Sequence, residues 1–246
     1  MTSFPTAPKH LAGRIALVTG ASRGIGRAVT LALADAGAHV VIVARTTGAL
    51  EELDDEVRTR GGLATLVRLD LRKGDQVDAL GPSLFERWKK LDILVANAGI
   101  LGPLSPLAHV PNTSWTDVME INLNANFRLI RTLDPLLRQS DAGRAIFVSS
   151  GAAAAKNAYW GPYAVSKAAL EALVKTYAHE ISTTAVRANI INPGPIRTAM
   201  RAKAFPGEDP MTLATPEDIA PLFLKLADPA QTANGEIFNF RKADGP

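Results

Sequence analysis

A chain of 246 residues that is 47% hydrophobic and 21% charged can build a large core and fill one α/β sheet with helices on both faces. Its net charge of +3 comes from basic residues scattered at Arg58, Arg68, Arg87, Lys90 and Arg138 rather than gathered into a stripe, which argues against a nucleic-acid surface. The absence of cysteine removes disulfides, thiolate metal sites and cysteine nucleophiles together, and four scattered histidines do not make a metal centre.

The first stretch, with Pro5 and Pro8, has neither a basic leader nor an apolar run, so residues 1–10 read as a flexible arm rather than a signal peptide. Residues 11–246 read as one domain. No apolar run approaches the roughly 18 residues needed to cross a bilayer, and the expectation is a soluble, cytoplasmic protein. Short β-branched runs recur at 15–18, 40–43, 64–69, 93–96, 145–148, 188–191 and 236–240. Their lack of strict alternation predicts strands buried on both faces. Between them lie segments of helical spacing, such as Ile25, Val29, Ala32 and Ala36, or Leu170, Leu173, Val174 and Tyr177. The pattern predicts a doubly wound, Rossmann-type, seven-stranded parallel sheet in a three-layer α/β/α arrangement.

After the first strand comes Thr19-Gly20-Ala21-Ser22-Arg23-Gly24-Ile25-Gly26, followed at once by helical spacing. In that context Gly20 permits a tight turn, Gly24 lets the backbone approach a pyrophosphate, and Gly26 lets the helix pack on the sheet. The bland alternative is a glycine-rich turn without a ligand. At the end of the second strand an NAD site would place a carboxylate, but this chain has Ala44-Arg45-Thr46. Guanidinium groups at Arg45 and Arg23 suit a 2′-phosphate, so NADP(H) is the expected cofactor, unless Arg45 is only a solvated strand-end charge. Asp70-Leu71 and Asn97-Ala98-Gly99 end the third and fourth strands, along the edge where a nucleotide passes. Asp70 is a candidate for the adenine amino group, and either segment could instead cap a loop.

Tyr163 and Lys167 are spaced to share one helical face, a turn apart, where the ammonium can favour the phenolate. An exposed tyrosine and lysine on an ordinary helix would have the same spacing. What distinguishes this pair is its company: Ser149-Ser150 at the end of the fifth strand, and Asn122 within a helical segment expected over 114–138. With T-G-A-S-R-G-I-G at 19–26, N-A-G at 97–99, Asn122, Ser150, Y-A-V-S-K at 163–167 and N-P-G at 192–194, the chain resembles the short-chain dehydrogenase/reductase family over nearly its full length, 3-oxoacyl-carrier-protein reductases and related carbonyl reductases among its members.

The resemblance implies that Tyr163 is the general acid or base, that Lys167 lowers its pKa and binds the nicotinamide ribose, that Ser150 holds the substrate oxygen, and that Asn122 holds a relay water. It also implies that Pro193, Gly194, Ile196 and Thr198 surround the nicotinamide, with Thr198 bonding the carboxamide. The segment 197–215 is expected to be an apolar flap over the substrate, and Tyr159 and Trp160 suggest an aromatic wall or simple packing. The implied activity is hydride transfer between NADP(H) and a small-molecule carbonyl or alcohol, in a homodimer or homotetramer. The competing reading is a catalytically silent nucleotide-binding sensor on the same fold.

Overall fold

The computed structural model describes residues 9–155 and 157–241, so the arm expected at the start lies outside the described residues except for Lys9 and His10. Seven strands form one parallel sheet: β1 (Ile15–Thr19), β2 (His39–Ala44), β3 (Leu63–Arg68), β4 (Ile93–Ala96), β5 (Arg144–Val148), β6 (Arg187–Asn192) and β7 (Ile237–Asn239), in spatial order β3-β2-β1-β4-β5-β6-β7. The helices are α1 (Gly24–Asp35), α2 (Thr47–Thr59), α3 (Gly74–Asp78), α4 (Leu80–Trp88), α5 (Asn112–Met119), α6 (Ala125–Leu137), α7 (Gly161–Glu180), α8 (Ala199–Ala204) and α9 (Pro216–Ala227).

The period of two along each strand divides the core into two apolar layers. Ala16, Val18, Val40, Ile42, Ile93, Val95, Ile146 and Val148 face one way, against Leu31 and Leu33 of α1, Leu50 and Leu53 of α2 and Phe223 of α9. Their neighbours Leu17, Val41, Val43, Leu94 and Phe147 face the other way, against Leu84 of α4, Leu129 and Leu133 of α6, and Leu170 and Val174 of α7. This two-sided demand explains why the inner strands are continuously apolar. The edge strands β3 and β7 differ from the expected two-sided burial: both are only partly covered, because each has one neighbour instead of two.

Strand order reverses between β1 and β4, so the chain leaves those neighbours in opposite directions and a crevice opens at their carboxyl ends, the place where ligands bind in such sheets. The helical segment expected over 114–138 is not continuous. A single π turn, Glu120–Asn124, separates α5 from α6 and contains Asn122. Among the described residues, no helix is long and apolar enough to cross a membrane.

Candidate functional site

The turn after β1 is shaped by close approach. Gly20 and Gly24 have φ of +65° and +54°, which favour glycine. A Cβ at Gly26 would lie 2.3 Å from the Gly20 carbonyl oxygen, so only glycine lets α1 begin against the turn. Arg23 precedes α1 in extended geometry, and no side chain caps the helix. The helix N-terminus therefore faces the crevice as an anion site, with no acidic residue in its first turn. Asn97 braces this turn from β4: its Nδ2 donates to the Thr19 carbonyl at 3.0 Å, while Thr19 Oγ1 accepts from the N–H groups of Asn97 and Ala98, both at 3.1 Å. The side chain of Asn97 thus serves the loop.

Arg23 and Arg45 are both exposed at this edge. Register adds a third cation that sequence reasoning missed: Arg68 ends β3 directly beside Ala44, and its Nε donates to the Arg45 carbonyl at 3.4 Å. Three arginines and an uncapped helix N-terminus fit a phosphorylated dinucleotide. Asp70 is held by Arg72, whose Nη2 lies 2.6 Å from its carboxylate, and that hydrogen bond keeps the carboxyl below its ordinary pKa. Leu71 and Ile196 are buried in the apolar layers, so what they can offer a nucleotide is backbone. Ser22, Ile25 and Ala98 lie at the turn, partly buried.

On the far side of the crevice, α7 starts at Gly161 with Pro162 in its first turn, where a missing N–H costs nothing. Tyr163, Ser166 and Lys167 are 8%, 0% and 3% exposed. Lys167 Nζ donates to the Val148 carbonyl at 2.7 Å and lies 5.8 Å from the centre of the Tyr163 ring. The Ser150 hydroxyl is hydrogen-bonded to Tyr163 and also accepts from the Ala152 N–H at 3.2 Å. A Cβ at Gly99 would lie 3.5 Å from Lys167 Nζ and 3.3 Å from Asn122 Oδ1, which shows how tightly the end of β4 closes on the cluster.

Asn122 is fully buried, and its carboxamide is committed. Oδ1 accepts from the Ile100 N–H at 2.9 Å, while Nδ2 donates to the Ile100 carbonyl at 2.9 Å and to Ser166 Oγ at 3.0 Å. Ser166 Oγ in turn donates to the Tyr163 carbonyl at 2.8 Å. Any water held by Asn122 would fall to its main-chain carbonyl, which accepts from Asn126 Nδ2 at 2.8 Å. The adjacent serines face opposite ways: Ser150 meets Tyr163, whereas Ser149 Oγ donates to Glu171 Oε1 at 2.6 Å. Glu171 was not singled out from the sequence, although it continues the Tyr163 and Lys167 spacing by one more turn.

Burial raises the Tyr163 pKa, with the Ser150 hydrogen bond working against the rise, so the phenol is neutral across the ordinary range. Burial also lowers the Lys167 pKa to about 8, with the Glu171 charge opposing the fall. Desolvation is the largest influence on the phenol, and the Lys167 ammonium expected to favour its ionised form lies 5.8 Å from the ring centre.

The segment 197–215, expected as a flap, contains α8 and is tied by a parallel bridge between Ile196 and Ala214. Pro193 and Gly194 lead into it from β6; Gly194 has φ +65°, and its N–H donates to Asn192 Oδ1 at 3.2 Å. Thr198 caps α8 by accepting from the Arg201 N–H at 3.2 Å. Of the two aromatic residues expected as a wall or as packing, Trp160 has its ring 6.0 Å from Tyr163 and 5.6 Å from Phe205, whereas Tyr159 is 59% exposed.

A switch-point crevice with a glycine turn, an arginine cluster and a tyrosine–lysine helix defines a dinucleotide-binding oxidoreductase. The model of the short chain dehydrogenase family matches residues 14–209, and the chain belongs to that family. It is 38% identical to the uncharacterized oxidoreductase YciK of Escherichia coli, over 95% of this chain and 94% of that one. It is 34% identical to the 3-oxoacyl-[acyl-carrier-protein] reductase of a Synechocystis strain, over 93% and 96%. Among solved structures, a short-chain dehydrogenase of Shigella flexneri 2a complexed with NADP superposes with a TM-score of 0.91 at 40% identity, covering 95% of this chain and 99% of that one.

Proposed function

We propose that this chain interconverts a carbonyl and an alcohol with NADP(H), using Tyr163 as the proton donor or acceptor. The observation that carries the reading is the convergence of Tyr163, Ser150 and Lys167 in one nearly dry cluster at the edge that also holds the glycine turn. The arginines at 23, 45 and 68 would hold the 2′-phosphate. The turn from Gly20 to Gly26, with Ser22 and Ile25, would hold the pyrophosphate. Asp70 and Leu71 would line the adenosine, Asn97, Ala98 and Gly99 the ribose path, and Pro193, Gly194, Ile196 and Thr198 the nicotinamide. When bound, that cofactor supplies or accepts the hydride.

The protein's own part is positioning and proton management. Ser150 and Tyr163 present two hydroxyls to one substrate oxygen, so charge developing there meets donors already in place. In reduction Tyr163 gives up its proton, and the Lys167 ammonium stabilises the phenolate left behind. In oxidation Tyr163 must first be a phenolate, which burial opposes and Lys167 favours. Asn122 acts at one remove, through Ser166 and Ile100, by fixing the start of α7 against β4. Self-association into a dimer or tetramer would use the α6 and α7 surfaces, where Phe127 and Val165 are 49% and 42% exposed.

The test is Tyr163→Phe. Proton transfer of this kind contributes about 10²–10⁴-fold, so turnover of an accepted carbonyl should fall by at least about 100-fold while NADPH binding persists. NADPH binding by the native protein with no turnover of any carbonyl would identify a sensor instead.

A further inference from the structure

Tyr163 is only 8% exposed because apolar residues close around it. Leu101, from the loop after β4, and Ala152, from the turn after Ser150, are buried with it, and Trp160, Ala164, Met200 and Ala204 pack against them. Met200 and Ala204 are four apart on α8 and so share the helical face turned to the tyrosine. Phe205 follows them and meets the Trp160 ring. The residues packed around the tyrosine here are all apolar or aromatic.

Arg201 forms a two-pronged pair with Glu208, with Nε and Nη2 at 2.6 and 2.5 Å from the carboxylate, and its guanidinium stacks 3.7 Å from the centre of the Phe205 ring. Arg197 donates to Met211 Sδ at 3.2 Å. A carboxylate or phosphate packed on these apolar side chains would lose its water and gain no partner from them. A polyol would leave hydroxyls unbonded. Such unmatched burial is the strongest form of rejection a pocket has.

We propose that the substrate carbonyl carries an uncharged, flat apolar substituent, an aryl group being the closest fit, which packs on Trp160 and Phe205 with Met200 and Leu101 beneath. Aromatic faces in tilted or edge contact favour a third ring over an aliphatic chain of equal area. Trp160 and Phe205 are then specificity residues, and Arg201 with Glu208 is the brace that holds Phe205 in place. The inference rests on the hydride-transfer reading above.

The experiment follows NADPH oxidation with benzaldehyde, 2-naphthaldehyde and acetophenone, each beside its carboxylated counterpart, and with glyceraldehyde as the polyol. The expected result is a kcat/KM at least about 10-fold higher for each neutral aryl carbonyl than for its acid, with glyceraldehyde lowest. Phe205→Leu and Trp160→Leu, which keep the wall apolar, should shrink the preference for 2-naphthaldehyde over an aliphatic aldehyde by raising KM more than they lower kcat. The native ratios stand by themselves if either variant fails to fold. Equal or better turnover of the acids, or of glyceraldehyde, overturns the substrate class and leaves the hydride-transfer reading intact. Bound NADPH with no turnover of any member overturns that reading, and the inference falls with it.

Discussion

Ser149 Oγ donates to Glu171 Oε1 at 2.6 Å and thereby anchors a carboxylate one helical turn beyond Lys167. That negative charge is what resists the loss of the Lys167 proton, whose pKa burial has brought down to about 8. With Glu171→Gln the opposition disappears and the lysine pKa falls further. Since the protonated amine is the useful form, the alkaline limb of the kcat/KM profile for reduction should move to lower pH. Ser149→Ala should shift it the same way by less. A limb that stays in place in both variants would detach Glu171 from the chemistry.

The same lysine bears on stability. Its folded pKa of about 8 lies below the ordinary 10.5, so holding the charge inside costs free energy in full below pH 8. Between pH 8 and 10.5 the unfolded chain binds more protons than the folded one, and this cost fades as pH rises. Lys167→Met should therefore abolish turnover and yet stabilise the fold at neutral pH, by about 1–3 kcal/mol, or roughly 2–4 °C in Tm per kcal/mol. Calorimetry at pH 7 and pH 10 checks it: the gain should be larger at pH 7.

Arg45 and Arg68 are proposed to read the 2′-phosphate together with Arg23. Charge-assisted hydrogen bonds of this type are worth about 1.5–3 kcal/mol, so Arg45→Ala or Arg68→Ala should weaken NADPH binding by roughly 10-fold or more and leave NADH binding unchanged. Fluorescence titration with both nucleotides decides it. An equal loss for the two would mean that the arginines serve the adenine or the fold.

Gly26→Ala would push a methyl to 2.3 Å from the Gly20 carbonyl oxygen, a backbone atom that cannot swing aside. Overpacking of this kind costs about 1–3 kcal/mol, and here it also displaces the turn from the helix N-terminus. The expected outcome is a lower Tm together with lost NADPH affinity. Retained affinity would mean that the turn can breathe without harm to the site.

Much of this could be read from the amino-acid order, because the information was local. Each strand announced itself as an apolar run, and the spacing of Gly20, Gly24 and Gly26 marked a tight turn packed against the start of α1. What was hidden depended on contacts between distant parts of the chain. Arg68 reaches Arg45 only because β3 pairs with β2 in a particular register. Glu171 acquires meaning only through Ser149, 22 positions earlier. The spacing of Tyr163 from Lys167 is visible in a sequence, whereas the dryness created around the phenol by Leu101, Ala152 and Trp160 is not.

The π turn at Glu120–Asn124 amounts to one surplus residue between two otherwise regular helices. Excising that residue would let α5 and α6 fuse into an unbroken rod, an easier object for a chain to build, and would swing everything on one side of the cut by about 100°. The amide of Asn122 would then face away from Ile100 and Ser166, and the first turn of α7 would lose its tether. The irregularity is thus a stored cost of folding whose return is a fixed angle for one side chain.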